Sequence, residues 1–272
     1  AARAALARRS ACRVPSLVQE VGPHRVLKGS SMRLAMWSGP RNVSTALMRS
    51  FESRGDSKVC DEPLYAHYLD QTGRIHPGRD EVLRSQPVDW RVVLAELTAP
   101  LPEGVKLYFQ KHMAHHLLPT IDRAALQGLT HAFLIRDPRE MLPSLARVLK
   151  DPVLTDTGLP QQVEILRSVR EETGTLPPIL DSRDLLENPE GLLRALCDRV
   201  GIEFDRRMLR WEPGPRSTDG VWAKHWYGSV EQSTGFAPYV HKSAPLTPAL
   251  EELYEECLPH YRELHALRLQ AS

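Results

Sequence analysis

The strongest constraint in this chain is an alternation of short apolar runs with longer stretches whose apolar residues recur at helical spacing. The runs are 33–37 (RLAMW), 58–60 (KVC), 105–110 (VKLYFQ), Thr130–Ile135 (THAFLI) and 178–181 (PILD). Each ends in polar or turn residues, as buried parallel strands do. Helical patterns occupy 115–126, 139–149, 161–172 and Pro189–Val200. Such alternation predicts an α/β three-layer fold: a central parallel sheet flanked by helices on both faces. The first run passes through Gly39 and Pro40 into a helix expected to reach about Arg54, capped by Asn42 or Ser44 and stopped by Gly55. Two segments are less regular. Residues 72–88, rich in Gly, Pro and charge, read as a surface excursion. Residues 212–238, carrying Trp222, Trp226 and Tyr227, read as a long loop of the kind that covers ligands beyond strand ends. A packing helix without chemistry is expected over 247–267.

A chain of 272 residues can be filled by one such domain. Residues 1–31 stand apart, with Arg3, Arg8, Arg9, Arg13, Arg25 and Lys28 against the single acid Glu20. Their charge resembles that of an organelle transit peptide, but they hold little Ser; the favoured reading is an upstream extension with Met32 as the natural start. The expected division is therefore 1–31, an extension, and 32–272, the working domain. Lys plus Arg number 35 and Asp plus Glu 34, for a net charge of +1. That balance argues against coating a long nucleic acid, whose affinity comes from phosphate neutralisation, while leaving room for a local basic pocket. No apolar stretch approaches the ~20 residues a membrane span needs. Cys12, Cys60, Cys197 and Cys257 lie far apart with no CxxC pair, so they read as reduced and mostly buried in a cytoplasmic protein.

The junction Ser38-Gly39-Pro40-Arg41-Asn42-Val43-Ser44-Thr45 aims unpaired backbone N–H groups and the positive end of a helix at whatever occupies the loop. Arg41 adds a permanent charge, and Ser44 and Thr45 add hydroxyl donors. Together they suit a phosphate or sulfonate; a plainly capped helix is the alternative. The pattern G-x-x-x-x-G-K-[ST] is absent, because counting from Gly39 its Gly-Lys positions hold Ser44 and Thr45. An ATP-using kinase would lack its phosphate lysine.

Residues 40–46 (PRNVSTA) resemble, without gaps, the sulfotransferase loop P-[KR]-S-G-T-T-W, with Asn42 at the serine and Val43 at the glycine. Arg136-Asp137-Pro138-Arg139-Glu140, with Ser144 eight residues after Arg136, resembles the family's R-[DN]-P-[KR]-[DE] and its serine. Residues 179–204 are similar to the family segment YEDLLxDPExxLRxLxxFLG, with Ser182 where an aromatic often contacts adenine. The resemblance covers about 32–204 and is closer to bacterial-type enzymes with a Glu-Pro after the second strand. It implies a P-loop NTPase-like fold and the donor 3′-phosphoadenosine 5′-phosphosulfate, which leaves as adenosine 3′,5′-bisphosphate. Gly39, Pro40, Arg41, Asn42, Val43, Ser44 and Thr45 would hold its 5′ end, Arg41 also serving catalysis as a fixed charge. Arg136 and Ser144 would bind the 3′-phosphate, and Trp222 would cover the nucleotide.

Sulfuryl transfer needs positioning, charge stabilisation and a base for the acceptor. The resemblance places two candidates: Glu62 in Cys60-Asp61-Glu62-Pro63, and His112 in Gln110-Lys111-His112-Met113. Glu62 is preferred as base, with His112 assisting and Lys111 steadying the bridging oxygen. His112, His115 and His116 raise the thought of a metal, since i and i+4 share a helix face. No carboxylate signature accompanies them, and no metal is expected. The reading is a sulfotransferase, monomer or homodimer, acting on a hydroxyl or amine of a small-molecule acceptor, with neither nucleic acid nor membrane as partner. An ATP-dependent small-molecule kinase and a non-catalytic nucleotide-binding domain stay open, the second because of Val43 and Ser182.

Overall fold

The computed structural model describes residues 31–241 and 245–271. Five parallel strands form one sheet: β1 (Met32–Ser38), β2 (Ser57–Asp61), β3 (Leu107–Met113), β4 (Thr130–Ile135) and β5 (Ile179–Asp181). Their order is β2-β3-β1-β4-β5. Trp37 of β1 stands opposite His112 of β3 on one side and Phe133 of β4 on the other. The chain moves to one side of β1 for β2 and β3, then to the other for β4 and β5. The carboxyl end of β1 is therefore a topological switch point, where connecting loops diverge and leave a crevice.

The helices are α1 (Ser44–Glu52), α2 (Tyr65–Thr72), α3 (Arg79–Ser85), α4 (Trp90–Thr98), α5 (Pro138–Leu145), α6 (Leu159–Thr173), α7 (Ser182–Glu187), α8 (Pro189–Val200), α9 (Ala223–Trp226), α10 (Gly228–Glu231) and α11 (Pro248–Ala266). Side chains of β1 alternate between two apolar layers, as the two-residue period of a strand requires. Leu34 and Met36 pack with Leu47, Met48 and Phe51 of α1 and Leu192 and Leu196 of α8. Ala35 and Trp37 face the layer built from α4, α5, α6 and α11. Burial on both faces is why these strands read as nearly continuous apolar runs.

Several expectations shift. β3 continues to Met113, three residues past the expected end, because buried partners accept Lys111 and His112 stacks on Trp37 at 4.4 Å. Residues 115–126 form no α-helix, only 3-10 turns at Ala114–His116 and Arg123–Leu126. Pro119 lies between them, lacks an N–H and disfavours helical backbone in the residue before it. The segment 72–88 holds α3, drawn inward by fully buried Val82 against the α2 side. Neither Asn42 nor Ser44 caps α1; its cap position is Val43, which provides no side-chain bond. Residues 1–30 of the expected extension, Cys12 among them, lie outside the described residues. Cys60 is half-buried, while Cys197 and Cys257 are buried and free. Among the described residues no helix is long and apolar enough to cross a membrane.

Candidate active site

The loop after β1 is held in a costly shape. Arg41 adopts φ 53°, a left-handed conformation that non-glycine residues rarely take and that concentrates at functional sites. Two elements fix it there. The Arg136 guanidinium, at the end of β4, donates to the Arg41 carbonyl at 2.7 Å. The Arg41 Nε in turn donates to the Ser144 hydroxyl of α5 at 3.0 Å. Asn42 bonds the Leu134 carbonyl at 3.0 Å, tying the loop to β4. Gly39 is required by packing: a Cβ there would collide with the backbone oxygen of Thr157.

This corner is rich in positive charge. Burial, Arg136 and Arg147 together push the Arg41 guanidinium below its ordinary pKa. Arg136 spends one nitrogen on Glu140 at 3.3 Å, and its Nε is buried without a hydrogen-bond partner. With no side-chain cap on α1, its first-turn amides add to the field. Buried Ser44 and half-buried Thr45 face the same cavity as Arg41, Arg136 and Ser144.

That cavity has a volume of about 540 Å³, and its other end is built around Glu62. Glu62 also carries a positive φ, 41°, in the turn after β2. Lys111, 1% exposed, donates to Asp61 at 2.7 Å, to Glu62 Oε1 at 2.6 Å and to the Tyr227 hydroxyl at 2.7 Å. An ammonium has three N–H donors, and all three are used. Burial alone would lower Lys111, but Asp61 and Glu62 outweigh it and hold the group well above its usual range. Tyr227 donates to Asp61 Oδ2 at 2.7 Å, and the Gly220 amide reaches the same oxygen at 3.1 Å. Burial raises Glu62 above the ordinary carboxylate range, a rise that Lys111 limits. Glu62 Oε2 lies 4.0 Å from His116 Nδ1.

The residues expected from sequence divide. Pro40, Arg41, Asn42, Val43, Ser44, Thr45, Glu62, Lys111, Arg136, Ser144 and Ser182 line this one cavity. Gly39 supports the loop from beneath. His112 is corrected: it is buried within β3, stacked on Trp37 and facing Gln110, away from the cavity lining, and burial lowers it to about 3. Trp222 is corrected too: it is buried edge-on to Tyr65, with its Nε1 bonded to the Tyr227 hydroxyl at 3.2 Å. Lys111 lines the cavity as a saturated tie that holds Glu62, leaving no N–H for a bridging oxygen. The three histidines share no helix face, since His112 is in a strand, and no metal-holding group occurs among the described residues.

Sequence reasoning missed Tyr65 and Tyr68, which with His116 form a wall beside Glu62, and Phe236 and Tyr239, which line the cavity toward the loop between β1 and α1. His116 is sandwiched between Tyr65 and Tyr68, at 4.7 Å from each ring. Tyr239 donates its hydroxyl to Glu140, the partner of Arg136. The aromatic content of the irregular segment was the available signal for Phe236 and Tyr239.

A family model described as Sulfotransferase domain matches residues 32–268. Two curated Arabidopsis thaliana proteins, branched-chain-amino-acid aminotransferase-like proteins 1 and 2, are 39% and 38% identical over 85% and 84% of this chain. The chain spans only 41% and 40% of their lengths. A solved sulfotransferase from Alicyclobacillus acidocaldarius shares the fold, with a TM-score of 0.51 at 14% identity, over 89% of this chain and 98% of that one.

Proposed function

This chain belongs to the sulfotransferase domain family, and from that premise we propose that it transfers a sulfuryl group from 3′-phosphoadenosine 5′-phosphosulfate to a small-molecule hydroxyl or amine. The observation that carries the reading is the convergence of Arg41, Arg136 and Ser144 at one end of a cavity whose other end presents Glu62. A donor charged at both its 5′ and 3′ positions needs such a concentration of fixed cations, and half-buried guanidiniums suit phosphate and sulfonate oxygens.

In this reading the loop from Gly39 through Pro40, Arg41, Asn42 and Val43 to Ser44 and Thr45 binds the phosphosulfate end with amides, hydroxyls and the Arg41 charge. Arg136 and Ser144 take the 3′-phosphate. Glu62 accepts the acceptor's proton on Oε2 while Lys111 holds Oε1. The acceptor heteroatom forms a bond to sulfur as the bond from sulfur to the bridging oxygen breaks. The electron pair of that broken bond stays on the 5′-phosphate, where Arg41 and the first-turn amides of α1 offset the growing negative charge.

Calorimetry with adenosine 3′,5′-bisphosphate and ADP tests this. The bisphosphate should bind at least tenfold more tightly, and Arg136→Ala should weaken it by roughly ten- to a hundredfold, the value of a charge-assisted contact. Equal affinity for the two nucleotides would overturn the donor assignment and favour a kinase-like or non-catalytic nucleotide site.

A further inference from the structure

The wall beside Glu62 has few polar atoms to offer a ligand, because its polar groups satisfy one another. The Tyr65 hydroxyl is paired with His76 Nδ1 at 2.9 Å. Arg74 is bound to buried Asp156 at 2.8 Å and also faces the Tyr68 hydroxyl. Lys111 has no donor to spare. The Nδ1 atoms of His115 and His116 make no hydrogen bond, but both are buried rather than open to the cavity. Burial pushes His115 to about 3 and His116 well below its ordinary value, so neither ring carries charge near neutral pH. What remains is Glu62 Oε2, which has no hydrogen-bond partner among the described residues, and the ε-nitrogens of the two uncharged histidines, set among ring faces. Beyond His76 the wall continues to Ile75, which is 89% exposed and lines the same cavity. Val148, Leu145 and Leu149 add further apolar lining.

From this we infer that the acceptor is an uncharged, mostly apolar molecule presenting a single hydroxyl, with that hydroxyl on Glu62 Oε2 and its apolar body running along the Tyr65–His116–Tyr68 stack toward Ile75. The inference rests on the proposed donor only for the direction of transfer. A carboxylate on the acceptor meets no unpaired cation on this wall and is repelled by Glu62. A polyol buries hydroxyls against ring faces, and each one left unpaired weakens binding by roughly ten- to a hundredfold. An apolar body pays neither penalty and gains from leaving water.

Three probes separate these cases: 2-naphthol, 6-hydroxy-2-naphthoate and glucose. Each is titrated by fluorescence or calorimetry into the full chain, with and without saturating adenosine 3′,5′-bisphosphate. 2-Naphthol should bind at least tenfold more tightly than the carboxylate, with glucose showing no saturable binding. Ile75→Arg, a change at an exposed position, should narrow the naphthol-to-naphthoate gap by roughly tenfold, the size of one added charge contact. Equal binding of the carboxylate, comparable binding of glucose, no saturation by naphthol, or an unchanged gap in Ile75→Arg would each overturn the inference. Failure of the bisphosphate to bind strikes the donor reading alone, because the titrations without nucleotide still report on the wall.

Discussion

At the β1–α1 loop end of the cavity, Arg41 is crowded by Arg136 and Arg147 and meets a neutral hydroxyl, while Arg136 shares its donors between the Arg41 carbonyl and the single carboxylate of Glu140. At the Glu62 end, one ammonium sits within 2.7 Å of two carboxylates and a phenol, and the surrounding histidines are neutral. One end leaves excess positive charge for something to be brought in. The other has already balanced nearly everything it contains and turns one carboxylate oxygen outward. On the proposed function the contrast separates two tasks within one cavity: binding where charge is uncompensated, and reactivity where it is compensated but for one atom.

The largest effect should follow from removing that atom's basicity. Glu62→Gln is expected to lower kcat by about 10²–10⁴-fold, the usual contribution of a positioned base, with bisphosphate affinity unchanged. In the parent protein the acid limb of kcat/KM should lie above the ordinary carboxylate range, since Glu62 must be ionised and burial raises it. A large loss of bisphosphate binding in this variant would erase the distinction between the ends.

Next comes the tie itself. Lys111→Met leaves Asp61 and Glu62 buried without their cation and should cost about 3–5 kcal/mol of stability by urea unfolding. A cost below 1 kcal/mol would mean that the network does not hold the carboxylates as described.

Acid should then strain the buried histidines. His112 and His115 fall to about 3 and His131 to about 4 in the folded protein, with His116 also well below normal, all through burial. Unfolded histidines titrate near ~6.5, so the unfolded chain binds more protons once pH drops below that value. Their contribution is complete above ~6.5 and is lost as pH falls toward the folded values, by up to about 1.4 kcal/mol per pH unit for each ring. Unfolding midpoints at pH 7.5, 6 and 5 should show this decline before ordinary carboxylates protonate. A flat profile across that range would contradict the neutral, buried rings.

The smallest effect belongs to the other end. Ser144→Ala should reduce bisphosphate affinity by up to about tenfold, one hydroxyl contact, and cost no more than about 1.5 kcal/mol of stability, the single hydrogen bond that Arg41 loses.

The strand-helix alternation and the loop between β1 and α1 were legible because their signals are local. Thr130–Ile135 is a strand with the bounds its apolar run implies, and Arg136 and Ser144 stand eight residues apart on one strand-to-helix junction. The Glu62 end was half legible. The Glu-Pro turn marked Glu62, but its ties to Lys111 and from Lys111 to Tyr227 span 49 and 116 residues, and no short-range pattern encodes them. The same ties misled the reading of β3. A lysine and a histidine look like a strand end until buried acids and a stacked tryptophan are known to receive them, so the run read over 105–110 stops short of His112, which the strand in fact contains. The wall of Tyr65, Tyr68 and His116 arises from α2 meeting a 3-10 turn far along the chain, a contact that periodicity cannot report.

The contact of Gly39 with the Thr157 backbone oxygen links distant parts of this cavity. Thr157 follows Asp156, and Asp156 anchors Arg74, next to Ile75 at the rim. A methyl group added beneath the loop between β1 and α1 would have to push this turn outward and carry the rim with it. The bare α-carbon at 39 therefore acts as a keystone: a lesion made beneath one end of the cavity would be felt as a misshapen mouth at Ile75, with no residue of that mouth replaced.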